Sequence, residues 1–423
     1  MQEAHKGKKV DLLLFDFLNK SNYDGRDKAF IANVVYLCQR NLRAIDDFIL
    51  SYLSYNDFTN QTNFAPILAL RIGVCMKYLN RPNHACVNEA VGCINSRKVR
   101  GFVNAIMRKI VKNEVHLLRE TIDNAAHFSH PDFITEITEK TFPKEWKEVL
   151  KSNNETPNVS FVCIDEKAFE EVADYFCDEI VEKYPKLNLL ITKNPRDFAD
   201  SYLFKDGKFF VSNISSQMIV QAAQVSDGDK VLDVCAAPGG KTFVLSQRVG
   251  VKGQVIARDK SEQRLDQLEE NITRLSQTGK FKNITTEVDD AEHPTNVDNE
   301  FDLVLVDAPC SGLGAIKRRV DLRWQLHPTQ IKEMALLQKN IVDNAVKQVK
   351  IGGELVYSVC TYAKEETVDI ESMMANKYTN FTPKKIDLEL FGEAETMESK
   401  KGVYILPLRD FDGMYMVKYK RES

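Results

Sequence analysis

The sequence predicts an α/β protein in which a doubly wound, mostly parallel sheet follows an all-helical front and a small α+β connector. Three observations predict it. Over residues 8–128 apolar residues recur at three- and four-residue steps, the period of helices with one buried face. From Lys230 onward, short unbroken apolar runs alternate with helical stretches, the pattern of parallel strands covered on both faces. Between the two regions the pattern is mixed, which places domain boundaries at 1–128, 129–215 and 216–423.

In the front, Leu12, Leu13, Phe15, Phe17 and Leu18, then Phe30, Ile31, Val34, Val35 and Leu37, then Ile45, Phe48, Ile49 and Leu53 mark successive helices. Tyr55 to Asn63 is polar and turn-like, after which Ile67, Leu68, Leu70, Ile72, Val74 and Met76 resume the helical period. The last helices of the front carry Arg97, Lys98, Arg100, Arg108, Lys109 and Lys112 around the apolar Phe102, Val103, Ile106, Met107 and Ile110. A helix face of this kind can lie along phosphates, or it can be a solvated surface. The connector opens at His130-Pro131, with short helices expected over 133–140 and 144–151, a break at 153–158 and a strand from Val159 to Ile164.

In the sheet domain, Val231 to Val234, Val255 to Ala257, Phe301 to Val306 and Gly353 to Ser358 read as strands. Helices are expected at 242–248, 261–275 and 331–349. Gly402 to Pro407 and Met414 to Tyr419 offer two closing strands, expected to be antiparallel.

Composition excludes several function classes. No apolar run approaches the roughly 18 residues of a membrane span, and the first residues lack the apolar centre of a secretion signal. A cytoplasmic location is expected. The nine cysteines show no C-x-x-C pairing and the seven histidines no ligand spacing, so reduced thiols are expected and no metal site. The formal net charge of −4 hides an asymmetry, because residues 1–130 hold 18 Lys and Arg against 12 Asp and Glu. The basic end is the expected place for a nucleic acid.

After the first strand comes Cys235-Ala236-Ala237-Pro238-Gly239-Gly240-Lys241, a turn whose glycines let backbone approach a ligand closely. Neither the GxGxxG nor the Walker spacing is present, which disfavours a pyrophosphate ligand. Asp259 follows the next strand, where an acid can accept both hydroxyls of a ribose. Asp290 falls where a carboxylate meets an adenine amine. Glycine loop, ribose acid and adenine acid, in that order within one sheet, point to S-adenosylmethionine.

Two cysteines close further strands: Cys310 in Asp307-Ala308-Pro309-Cys310, and Cys360 in Tyr357-Ser358-Val359-Cys360. Strand ends are where open α/β sheets hold their active sites. Carbon 5 of cytosine is too electron-poor to attack a methyl sulfonium until a nucleophile adds at carbon 6, and a thiolate suits that step. Asp307 is the candidate for activating the base, either protonated or by holding the exocyclic amine. A second thiol can assist release after the carbon 5 proton leaves. Spacing does not decide which thiol attacks.

Val231 to Lys241, Asp307 to Gly314 and Tyr357 to Cys360 resemble motifs of the RNA 5-methylcytosine methyltransferases of the Nol1/Nop2/Sun family, with a Rossmann-like catalytic sheet. The resemblance implies Cys360 as nucleophile and Cys310 as the residue aiding product release. Arg81 to Ala85, Val87 to Val91 and Gly101 to Arg108 are similar to the NusB-like RNA-binding bundle. A bundle of that kind joined to this catalytic domain resembles enzymes that methylate a cytosine of 16S ribosomal RNA, unassembled or partly assembled. Lys317, Arg318, Arg319 and Arg323 lie shortly after the Pro-Cys motif and are expected to rim the pocket and hold phosphates. Trp324 either stacks on a base or packs. A target cytosine must leave any stack to reach a thiol. Two other readings remain open: the same chemistry on transfer RNA or another ribosomal RNA, or a ribosome-assembly factor without turnover.

Overall fold

The computed structural model describes residues 8–53, 64–116, 118–120, 129–193, 198–295 and 300–423. The polar stretch 55–63 and the expected end of the front at 128 lie outside them. The chain forms two compact units, one of residues 1–155 with 316–326, the other of residues 156–315 with 327–423.

The first unit is helical, with α1 (Val10–Lys20), α2 (Gly25–Arg40), α3 (Leu42–Leu50), α4 (Ala65–Tyr78), α5 (Asn83–Gly92), α6 (Arg97–Ile110), α7 (Asp132–Thr141) and α8 (Trp146–Ser152) among its described residues. Ile45, Ile49, Leu70, Val74, Val103 and Met107 meet in its core, as the three- and four-residue spacing requires. Arg71 of α4 forms a two-pronged pair with Asp46 of α3, both bonds 2.7 Å, a geometry suited to a buried guanidinium. The expected connector is divided: α7 and α8 belong to the helical unit. Arg43 ties the segment entering α7 to α3, its amide donating to Ser129 Oγ and its guanidinium to the His130 carbonyl.

The second unit holds two sheets. The remainder of the connector forms a small antiparallel one from β1 (Val159–Cys163), β2 (Ile180–Tyr184), β3 (Leu189–Thr192) and β4 (Phe209–Val211), ordered β2-β3-β1-β4, with α9 (Glu166–Tyr175) and α10 (Tyr202–Lys205). Then α11 (Ile214–Ala223) leads to β5 (Lys230–Asp233), α12 (Gly240–Arg248), β6 (Gln254–Asp259), α13 (Glu262–Ser276), β7 (Ile284–Val288) and β8 (Phe301–Asp307). The short α14 (Leu322–Gln325), which belongs to the helical unit, precedes α15 (Pro328–Gln348), β9 (Val349–Val359) and α16 (Val368–Lys377). Four further strands follow: β10 (Phe381–Lys384), β11 (Thr396–Glu398), β12 (Val403–Ile405) and β13 (Met414–Arg421).

The main sheet runs β11-β12-β13-β9-β8-β5-β6-β7, with β10 also on β13. The pairs from β9 to β7 are parallel and those with β13 antiparallel, so the two closing strands have the expected sense. Strands β5 and β8 are buried along almost their whole length and β9 from Leu355 to Val359, which explains their unbroken apolar runs.

Candidate active site

Strands β8 and β9 are parallel neighbours in which Asp307 lies opposite Ser358. Beyond that rung both chains leave the sheet at the same edge, the Ala308 amide donating to the Ser358 carbonyl (3.0 Å) and the Gly314 amide to the Cys360 carbonyl (3.0 Å). This places the Cys310 and Cys360 sulfurs 3.1 Å apart, each half-buried and neither in a disulfide. Gly314 has no alternative here, since a Cβ would stand 1.8 Å from the Gly413 carbonyl oxygen. The hydrogen bond with Cys360, followed by burial, pushes the Cys310 thiol well above its ordinary range.

Asp307 ends β8, and both of its oxygens are engaged. Lys241 Nζ donates to one at 2.5 Å and Ser358 Oγ to the other at 2.8 Å. Lys241 is the second residue of α12 and is buried. The turn that delivers it depends on Gly239, at φ +105°, where a Cβ would lie 2.4 Å from Leu268 Cδ1 and 2.7 Å from Phe243 Cζ. The loop is fixed by the Ala236 amide on the Arg258 carbonyl (2.8 Å) and the Ala237 amide on Asp259 Oδ2 (3.3 Å). Within the loop, burial pushes the Cys235 thiol above its usual range.

Asp259 ends β6, buried, accepting from the Ser261 amide (3.0 Å) and paired with Arg264 (3.1 Å). Asp290 follows β7; Lys260 at 2.8 Å holds its carboxyl below the usual range by a hydrogen bond. Asp233, at the end of β5, accepts from Thr242 Oγ1 (2.8 Å), while its Oδ1 has no partner among the described residues. Burial pushes the Asp233 carboxyl up to about 7. A turn with no room for a Cβ, acids at the ends of successive parallel strands and an orphaned buried acceptor fit a nucleoside-bearing ligand.

Sequence reasoning missed a polar cluster behind the thiols, formed by Gln338, Tyr357, Thr361 and Glu366 around Ser311. Glu366 stands in the charged stretch Lys364-Glu365-Glu366, where no sequence signal marks one acid as buried.

The expected phosphate contacts after the Pro-Cys motif divide. Arg323 has no exposed surface. It donates to the carbonyls of Arg40 (3.2 Å), Ser129 (3.2 Å) and Asn153 (2.8 Å) and to the Asn154 side chain, all within the helical unit. Lys317 is buried on Glu155 (3.0 Å) and Ser152 (3.4 Å). These two are internal ties, because their donors are directed at protein oxygens. Arg318 is half-buried and Arg319 exposed. Trp324 packs on the helical core, its indole donating to the Gln39 carbonyl at 2.9 Å. Arg97, Lys98, Arg100 and Arg108 are exposed on α6, whose Val103, Ile106, Met107 and Ile110 face inward.

Residues 220–420 match the family model described as 16S rRNA methyltransferase RsmB/F, and residues 1–112 match the NusB family. Ribosomal RNA small subunit methyltransferase B of Photorhabdus laumondii is 26% identical over 411 residues, covering 94% of this chain and 92% of that one. The protein of the same name from Yersinia enterocolitica is 30% identical over 306 residues, 68% of each chain. The chain belongs to the ribosomal RNA small subunit methyltransferase B family. It is accordingly an rRNA methyltransferase, and S-adenosylmethionine is the methyl donor. Among solved structures, NSun6 from Pyrococcus horikoshii with SFG superimposes with a TM-score of 0.60 at 20% identity, covering 69% of this chain and 98% of that one. That likeness concerns the fold. No helix among the described residues is long and apolar enough to cross a membrane.

Proposed function

We propose that this family member methylates carbon 5 of a cytosine in 16S ribosomal RNA, in the cytoplasm, on RNA that is unassembled or partly assembled. The observation that supports this reading is the pair of sulfurs 3.1 Å apart beside Asp307. Cys360 is the nucleophile: its thiolate adds to carbon 6, forming a carbon–sulfur bond and making carbon 5 electron-rich. S-adenosylmethionine, when bound, supplies an electrophilic methyl group to carbon 5. Cys310 then assists release: a base takes the carbon 5 proton, the electron pair of that C–H bond restores the carbon 5–carbon 6 double bond, and the carbon 6–sulfur bond breaks with its pair returning to Cys360.

Asp307 orients the base. Both of its oxygens already accept a hydrogen bond, and each keeps a lone pair for the exocyclic amine of cytosine. Cys235, Ala236, Ala237, Pro238, Gly239, Gly240 and Lys241 line the donor, with Asp259 at the ribose, Asp290 at the adenine and Asp307 near the methionyl part. Arg97, Lys98 and Arg100 open α6 at its positive dipole end, where cations lower helix stability by about 0.3–1 kcal/mol each. A charge pattern that opposes the helix makes sense as a phosphate surface, with Arg108 continuing it.

The test is a pair of variants. Cys360→Ala abolishes methyl transfer, and Cys310→Ala accumulates a covalent RNA–protein adduct that migrates slowly on a denaturing gel. Adduct accumulation in Cys360→Ala instead would exchange the two roles. Bisulfite mapping of 16S RNA from cells with and without the gene identifies the base, and an unchanged map would defeat the reading.

A further inference from the structure

Glu366 is fully buried in the turn Lys364–Glu366 between β9 and α16. A buried carboxylate is costly unless its oxygens are hydrogen-bonded, and this one is met by donors from both thiol loops. Its Oε1 accepts from the Ser311 amide (2.8 Å) and from Gln338 Nε2 (2.8 Å), and its Oε2 faces Thr361 Oγ1 at 3.4 Å. Ser311 directly follows Cys310, and Thr361 directly follows Cys360. Their hydroxyls meet at 2.8 Å. Gln338 also donates to the Pro309 carbonyl (2.9 Å), so the backbone on both sides of Cys310 is fixed through one carboxylate and its partner. The Tyr357 hydroxyl closes the set, 3.0 Å from Gln338 Oε1 and 2.7 Å from the Glu366 carbonyl.

We propose that Glu366 is the positioning residue that holds the two thiols of the site side by side. This rests on the reading of Cys360 and Cys310 as attacking and releasing groups. The contacts that bring the two loops together, the β8–β9 pairing and the Gly314 amide on the Cys360 carbonyl, leave the Cys310–Ser311 peptide without a tie of its own. The Glu366 carboxylate supplies that tie, accepting from the Ser311 amide, while Thr361 is joined to Ser311 through their hydroxyls and lies 3.4 Å from Glu366 Oε2. The donor loop is held separately, through Asp259 and the Lys241–Asp307 pair. Losing Glu366 therefore separates the thiols and spares donor binding.

The test uses the full-length protein and three variants. In Glu366→Gln the side-chain carbonyl still accepts from Ser311 and Gln338, and the amide donates to Thr361 Oγ1, so the anchor persists without its charge. Glu366→Met fills the same space with no equivalent acceptor. Glu366→Asp, a second disruption, keeps the charge on a shorter stem. Thiol pairing is read without RNA, from the rate at which dibromobimane bridges Cys310 and Cys360, with the signal of Cys310→Ser subtracted. Glu366→Gln is expected to stay within about threefold of wild type in bridging and kcat. In Glu366→Met and Glu366→Asp, bridging slows by about tenfold and kcat falls about a hundredfold, the cost of misplacing reacting groups by about 1 Å. Calorimetric donor affinity stays as in wild type.

Bridging at the wild-type rate in Glu366→Met and Glu366→Asp would overturn the proposal. So would a Glu366→Gln as impaired as Glu366→Met, or donor binding lost together with pairing. Failure of the underlying reading gives another pattern, in which wild type forms no 5-methylcytosine or Cys360→Ala remains active. The bridging rates then decide the anchor by themselves.

Discussion

Arg323→Met gives the sharpest separation between two roles for one residue. The guanidinium is fully buried and serves three backbone carbonyls and the Asn154 side chain. These acceptors come from residues 40, 129, 153 and 154, so one side chain joins the end of α2 to the segments flanking α7 and α8. Stranding a buried acceptor costs about 1–3 kcal/mol. Methionine fills the volume and returns about 1–2 kcal/mol of apolar burial. With partial relaxation toward water, the net loss should be about 3–5 kcal/mol, a large part of the roughly 5–15 kcal/mol that stabilises a domain. The assay is urea unfolding of the full chain followed by circular dichroism, with the exposed Arg319→Gln as a control expected to stay within about 0.5 kcal/mol of wild type. Stability of Arg323→Met within that same margin, together with a salt dependence of RNA binding reduced by about one counterion, would refute the structural role and restore the phosphate contact.

Three further outcomes are expected. Gly239→Ala forces a Cβ against Leu268 and Phe243 at positive φ; it should cost about 1–3 kcal/mol and weaken donor binding, and calorimetry showing wild-type affinity would count against the donor loop. Asp233 keeps a proton in the folded state up to about 7, against 3.8 ordinarily, so wild-type stability falls as pH rises between those values, by up to about 1.4 kcal/mol per pH unit. Asp233→Asn lacks that slope, and urea melts at pH 5 and pH 8 showing the same gap between variant and wild type would contradict the shift. Replacing Arg97, Lys98 and Arg108 together by glutamine should lower RNA affinity and reduce the slope of log affinity against log salt by about one per lost phosphate contact, with donor affinity unchanged.

The parallel strands were legible because burial on both faces leaves no polar positions: Leu303 to Val306 and Leu355 to Tyr357 are fully covered. Strand β7 was not, since Ile284 to Val288 has no fully buried position and its sequence shows neither a continuous run nor a clean alternation. The small sheet was seen only at β1, whose residues are mostly covered, whereas β2 alternates at a half-exposed edge. Both thiols, Asp307 and the glycine loop were visible as types at strand ends. Arg323 and Glu366 were not. A charge is buried when distant segments converge on it, and nothing within a few residues of position 323 announces the carbonyls at 40, 129 and 153.

The order of strands accounts for the order of the chemistry. In β9-β8-β5-β6 the successive ends present Cys360, then Asp307 and Cys310, then the glycine loop with Lys241, then Asp259. Parallel neighbours bring these groups to a single edge; an antiparallel β8–β9 pair would send Cys310 and Cys360 to opposite ends of the sheet. Strands lie about 4.8 Å apart, so on the proposed reading a base above β8–β9 and a donor above β5–β6 would be within one or two strand spacings of each other. The Lys241–Asp307 pair spans that interval, joining the glycine loop after β5 to the end of β8. A change that breaks this pair should therefore raise the KM for donor and lower kcat together. A loss at the thiols alone should leave donor binding untouched.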